Sequence, residues 1–163
     1  MKILLFLLIL IPSFLIGQNN DTSHVFERFF YHIAVDLSNS NPSEAIEITD
    51  LLYKNSKNKI DKLELLMLKA NILKKQEKFG EAIHYALVAL QIADNLEDHN
   101  FQSQIYGFLS SQYRAVGFLD KGKEFIKKGK AVNTKIACKI TALKQRGMID
   151  YEAAEYAIGR KVV

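Results

Sequence analysis

One cysteine, Cys138, occurs in the whole chain, so neither a disulfide framework nor a thiolate zinc site can be assembled within a single copy. Proline occurs twice and glycine eight times in 163 residues, and long stretches carry no hairpin dipeptide. That scarcity argues against a turn-rich β-sandwich and against a Rossmann-type alternation of strands and helices. Also missing are a glycine-rich phosphate loop and a serine set in a nucleophile elbow. His24, His32, His84 and His99 lack the three- or four-residue spacing of metal ligands, and no carboxylate pair recurs with them. No cofactor, metal or catalytic constellation emerges, and the chain reads as a non-enzyme. What is present is an ordinary globular composition, 48% hydrophobic and 25% charged, whose default is one all-α domain.

Lys2 is followed by a wholly apolar run from Ile3 to Ile11; Pro12 and Ser13 interrupt it, and Phe14 to Gly17 precede the polar Gln18, Asn19 and Asn20. This is the architecture of a secretory signal, and the run is shorter than the roughly 20 residues a spanning helix needs. Cleavage after Gly17 is expected, giving an exported chain, periplasmic or secreted. Leu15 is larger than the small side chain usual two positions before such a cut, so the alternative is a segment retained as a membrane anchor. No cysteine lies near the site, which excludes an N-terminal lipidated anchor. The expected organisation is a signal peptide at 1–17, a short polar tail at 18–24, helical repeats at 25–132 and a long C-terminal helix at 133–163.

Charge is divided along the chain. From Gln18 to Tyr113 there are nine Lys and Arg against thirteen Asp and Glu, whereas from Arg114 to Val163 there are twelve against five. A basic C-terminal third favours acidic partners in principle, but an exported chain rarely meets nucleic acid. A protein or peptide partner is therefore expected and a nucleic acid is not.

A spacing of 37 and then 40 residues relates Ser43-Glu44-Ala45-Ile46, Gly80-Glu81-Ala82-Ile83 and Asp120-Lys121-Gly122-Lys123. Eleven or twelve residues before the small residue of each segment stands another: Ala34, Ala70 and Ser110. Each upstream residue belongs to an apolar helical face, with Phe30, Ile33 and Leu37, then Leu66 and Leu73, then Tyr106, Leu109 and Tyr113. Downstream faces repeat as Ala45, Ile46, Ile48 and Thr49, then Ala82, Ile83, Ala86, Ala89 and Leu90, then Gly122, Phe125, Ile126 and Gly129. Small residues recurring on paired amphipathic helices imply close backbone approach within helical hairpins. Asn41 with Pro42 and Glu44 reads as a helix start, Gly117 as the equivalent turn later, and Asn95 to Asn100 as a hairpin boundary.

At these residues the sequence resembles the tetratricopeptide repeat family, in its extended-helix bacterial form. The resemblance covers Val25 to Val132 and is strongest from Leu63 to Leu96. It implies an α-solenoid of antiparallel helical hairpins, about three of them plus a further C-terminal helix, with a concave groove. It also implies that the first helix of each hairpin lines the groove, placing Arg28, Tyr31 and Val35, then Glu64, Met67, Asn71 and Lys74, then Gln104, Gly107, Ser111 and Arg114 there. Family members that clamp a peptide carboxylate use Asn, Lys and Arg from successive first helices. Gly107 and Ser111 depart from that pattern, so general polar lining is expected instead.

Three further features complete the reading. Lys123, Lys127 and Lys130 lie on one ridge, either a solubilising face or a seat for an acidic partner. Cys138 is expected to be a small buried apolar residue on a helix running from Ile136. The stripe Ile136, Ile140, Leu143, Gly147, Tyr151 and Ala154 would open a fourth hairpin whose partner helix is barely present, leaving an uncapped face for association with a like or unlike chain. The function implied is a non-catalytic protein-interaction module that binds a peptide or protein in its groove. The alternative is the exported sensory part of a bacterial signalling or transcriptional regulator whose membrane and helix-turn-helix or kinase portions are not in this chain.

Overall fold

The computed structural model describes residues 20–159, and the expected signal segment 1–17 lies outside them. Seven α-helices and no strand occur among the described residues: α1 (Asn20–Ser40), α2 (Pro42–Asn55), α3 (Lys59–Lys75), α4 (Phe79–Asn95), α5 (His99–Ala115), α6 (Leu119–Asn133) and α7 (Lys139–Gly159). The strongest packing joins α1 to α2, α3 to α4 and α5 to α6, with weaker contacts from each pair to the next. The architecture is therefore an all-α stack of consecutive hairpins. No described helix is long and apolar enough to cross a membrane.

The repeated small residues set the hairpin geometry. Ala34, Ala70 and Ser110 on the first helices and Ala45 and Ala82 on the second are all 0% exposed, and Gly122 is buried as well. In α4 the small side chains run on as Ala86, Ala89 and Ala93, a seam at three- and four-residue spacing that faces α3 and α5. α3 needs two apolar faces because it sits between hairpins. Leu63, Leu66, Ala70 and Leu73 join the cluster with α4 and α5, while Leu65, Leu68 and Ile72 join the cluster with α1 and α2. Each fully buried Leu or Ile contributes about 1.5–3 kcal/mol, so the stacking surface of α3 is a major source of cohesion.

The turns are built by repetition too. Glu77, Glu97 and Gly117 take left-handed backbone angles, with φ of 59°, 52° and 83°. At each, the following N–H reaches back five residues: Lys78 to the Leu73 carbonyl, Asp98 to Ala93 and Phe118 to Tyr113, at 2.9–3.0 Å. These are three Schellman caps, which satisfy carbonyls a helix end leaves orphaned. α1 and α2 are joined differently, through Asn41 alone. Its Oδ1 accepts from the Glu44 N–H at 3.4 Å and its Nδ2 donates to the Glu44 carboxylate at 2.6 Å, with Pro42 opening the helix.

The termini depart from expectation. α1 starts at Asn20, within the stretch expected as a polar tail, in a run of residue types that favour helix N-termini. α6 ends at Asn133 and α7 begins only at Lys139, so residues 134–138 form a link and Ile136 is not on α7. Cys138 is exposed in this link, not buried; it stands immediately before the first turn of α7. The face of α7 turned toward α5 and α6 carries Gln145, Ile149, Glu152 and Tyr156, while Ile140, Leu143 and Tyr151 of the apolar stripe face away.

Candidate functional site

Side-chain contacts run from one first helix to the next, so α1, α3, α5 and α7 share a face. Arg28 of α1 pairs with Glu64 of α3 at 3.0 Å, Lys75 of α3 reaches Ser38 and Asn39 of α1 at 2.8 and 2.7 Å, and Lys74 of α3 lies 5.8 Å from the Phe108 ring of α5. At one end of this face, Glu27, Arg28, Tyr31, Leu52, Asp61 and Glu64 line a small cleft of about 40 Å³. The Arg28 guanidinium stands 6.0 Å from the Tyr31 ring centre. Burial first, and the Glu64 charge second, push the Tyr31 hydroxyl pKa above its ordinary value.

The middle of the face is open. Asn71, Lys74 and Gln104 are exposed, and Met67 is half-buried against the core below them. Asn71 donates its amide to the Met67 carbonyl at 2.8 Å, which holds the side chain along the helix. Ser111 donates to the Phe108 carbonyl at 3.1 Å and accepts from Gln112 at 2.6 Å, so its hydroxyl is already engaged.

The far end is closed by α7. Gly107 is buried, and a Cβ there would meet Ile149 of α7 at 3.9 Å. Arg114 pairs with Glu152 at 3.2 Å and with Glu155 at 3.4 Å. Burial opposes its charge, but the Glu152 hydrogen bond and the Glu152 and Glu155 charges outweigh that and raise its pKa. Arg114 is therefore not a free cation for a peptide carboxylate, and Gly107 is not an open lining position. Both were expected in the groove because spacing along α5 alone does not say which side a neighbouring helix will cover. The residues the structure leaves together and accessible are Glu64, Met67, Asn71, Lys74 and Gln104, with Tyr31 at one margin and Ser111 at the other.

Sequence reasoning missed a second concavity. Thr49, Asp50 and Tyr53 of α2, Lys69 of α3, and His84, Tyr85 and Val88 of α4 surround about 310 Å³. Lys69 bonds both Asp50 carboxylate oxygens at 2.6 and 2.7 Å and lies 4.4 Å from the Tyr85 ring centre. Burial works against the Lys69 charge, but Asp50 and Tyr85 together more than offset it and raise the pKa. The signal was a lysine inside the apolar pattern of α3 with tyrosines on both second helices. The basic ridge on α6 is largely neutralised. Lys123 pairs with Asp120 at 3.0 Å and Lys130 with Asp150 at 3.3 Å, while Lys121 and Lys128 share Glu124 and flank the Phe125 ring. Lys127 alone of the expected ridge is exposed with no ion pair among the described residues.

No group of three or more His, Cys, Asp and Glu among the described residues could hold a metal ion. No protein-family model matches this chain, and no curated protein matches it either.

Proposed function

We propose that this chain is an exported interaction module of the tetratricopeptide repeat type, which binds a peptide or protein segment across the open face of α3 and α5. The observation that carries the reading is the composition of that face. Asn71, Lys74 and Gln104 stand exposed beside the half-buried Met67, and Lys74 lies 5.8 Å from the ring of Phe108. Polar groups placed beside apolar ones fit an extended peptide, whose backbone needs hydrogen-bond partners and whose side chains need apolar contact. Lys74 adds a cation for an acidic side chain or a terminal carboxylate.

Export rests on the N-terminal pattern of Lys2, the apolar run and Gly17. The test of the groove is selection from a displayed peptide library, followed by the same selection against Asn71→Ala/Lys74→Glu. Selected peptides should lose at least tenfold in affinity for the double variant while its circular dichroism is unchanged. Equal affinity for both proteins overturns the assignment of this face.

A further inference from the structure

α7 is attached to the body by its polar side. Tyr156 donates to the Ser110 carbonyl at 2.7 Å, Arg114 holds Glu152, and Asn133 donates to the Ala142 carbonyl at 3.0 Å; Ile149 and Ala153 supply the apolar contact. The opposite side is apolar and open. Ile140 is 81% exposed, Leu143 69%, Tyr151 61% and Ile158 57%. At 100° per residue, Ile140, Gly147, Tyr151 and Ile158 fall within an arc of about 40°, directly opposite Ile149 and Tyr156. Three large apolar groups on that arc, with Leu143 beside it, over some 27 Å are more than scattered surface hydrophobics.

The stripe is complementary to itself when reversed. Ile140 and Ile158 lie nine residues either side of position 149, and Gly147 and Tyr151 lie two residues either side. Two copies placed antiparallel about that point set the Ile140 of one against the Ile158 of the other, and each Tyr151 over the other copy's Gly147. The space is there, since a Cβ built at Gly147 meets nothing within 4 Å. Charge follows the same symmetry. The first half of α7 carries Lys139, Lys144 and Arg146, and the second carries Asp150 and Glu155, with Glu152 turned inward onto Arg114. Lys144 and Glu155 lie on the same flank of the stripe, so a two-fold antiparallel arrangement brings the exposed Lys144 of each copy toward the Glu155 that Arg114 holds at 3.4 Å in the other.

We propose that α7 is a self-association surface, on which a second copy of this chain packs antiparallel in the register that seats Tyr151 over Gly147. A parallel pair would set Lys139, Lys144 and Arg146 against their like and leave Gly147 facing Gly147 across a void.

The test is sedimentation velocity on the full chain, expressed in an exporting host so that its N-terminus is processed as the cell processes it, over a hundredfold concentration range. The wild type should dimerise with rising concentration. Tyr151→Glu should stay monomeric over the range, and so should Gly147→Gln, which improves helix propensity and therefore cannot lose the dimer by unfolding. Orientation is read by mild oxidation. Antiparallel packing holds the two Cys138 about 33 Å apart, so the native dimer should not crosslink, whereas an equimolar mixture of Ile140→Cys and Ile158→Cys chains, each in a Cys138→Ser background, should crosslink between unlike chains only. A wild type that is monomeric throughout overturns the proposal; a segment of the same chain covering the stripe would give that result. So does a dimer that survives both variants, or one that the native Cys138 links.

Discussion

Replacing Gly122 by alanine probes the docking of α7 in one methyl group. Gly122 lies in α6 beneath Tyr156, and a Cβ there would overlap both the Tyr156 hydroxyl oxygen and Cζ. Neither overlap is tolerable, so the phenol must leave its place and give up the 2.7 Å bond to the Ser110 carbonyl. Overpacking of this kind costs about 1–3 kcal/mol and the lost hydrogen bond about 1 kcal/mol, against which alanine gains about 1 kcal/mol in helix propensity. The net expectation is a loss of about 1–3 kcal/mol confined to the attachment of α7. Native-state hydrogen exchange reads this directly, because α7 amides should lose protection while those of α3 and α4 keep theirs. Trimming the partner in Gly122→Ala/Tyr156→Leu should return part of the loss, a coupling measurable by double-mutant cycle. A higher thermal midpoint for Gly122→Ala, as expected for alanine at the open helical Gly147, would refute the close approach of α6 and α7.

Other expectations follow from single residues. Glu77→Gly and Glu97→Gly should each stabilise by about 1 kcal/mol, because both glutamates occupy left-handed caps that glycine fills without strain; thermal midpoints should rise by about 2–4 °C each, and Gly117→Ala should lower it. Burial foremost raises the hydroxyl pKa of Tyr31, Tyr106 and Tyr156, so a phenolate absorbance titration should show these three ionising above free tyrosine. Because their folded values are raised, the stability they contribute is full below about pH 10 and is lost as pH rises through the folded values. The side-chain hydroxyl of Thr141, then the backbone N–H groups of Thr141 and Ile140, lower the Cys138 pKa, so iodoacetamide should alkylate the native protein with a midpoint below that of an ordinary thiol, and Thr141→Val should raise it.

The hairpins were legible because their geometry demands particular residues. Ala34 and Ala45 are fully buried in one apolar cluster, Ala70 and Ala82 in the next, and Gly122 lies beneath Tyr156, so the demand for small side chains leaves a mark every 37 to 40 residues. Gly117 announced its turn by type, whereas Glu77 and Glu97 hold the same left-handed cap with a residue that carries no such signal; only the hydrogen bonds reveal them. The stripe on α7 was visible as a period, but a period does not say which side of a helix meets the body. Glu152 and Tyr156 attach α7 through an ion pair and a hydrogen bond, a polar seam that hydrophobic patterning passes over. That seam also claims Arg114, which spacing alone assigned to the groove. Cys138 was misplaced for a related reason: the break between α6 and α7 contains no proline or glycine, so the stripe read straight through it.

The open face of α3 and α5 is the centre of the account, and a footprint tests it most directly. A peptide selected by the full chain should be titrated into isotopically labelled protein and the amide shifts followed. The largest changes should fall at Met67, Asn71, Lys74 and Gln104, with smaller ones at Tyr31 and Ser111. Changes centred instead on Asp50, Lys69 and Tyr85, in the concavity of α2 and α4, would contradict it and move the binding surface to the other side of the stack.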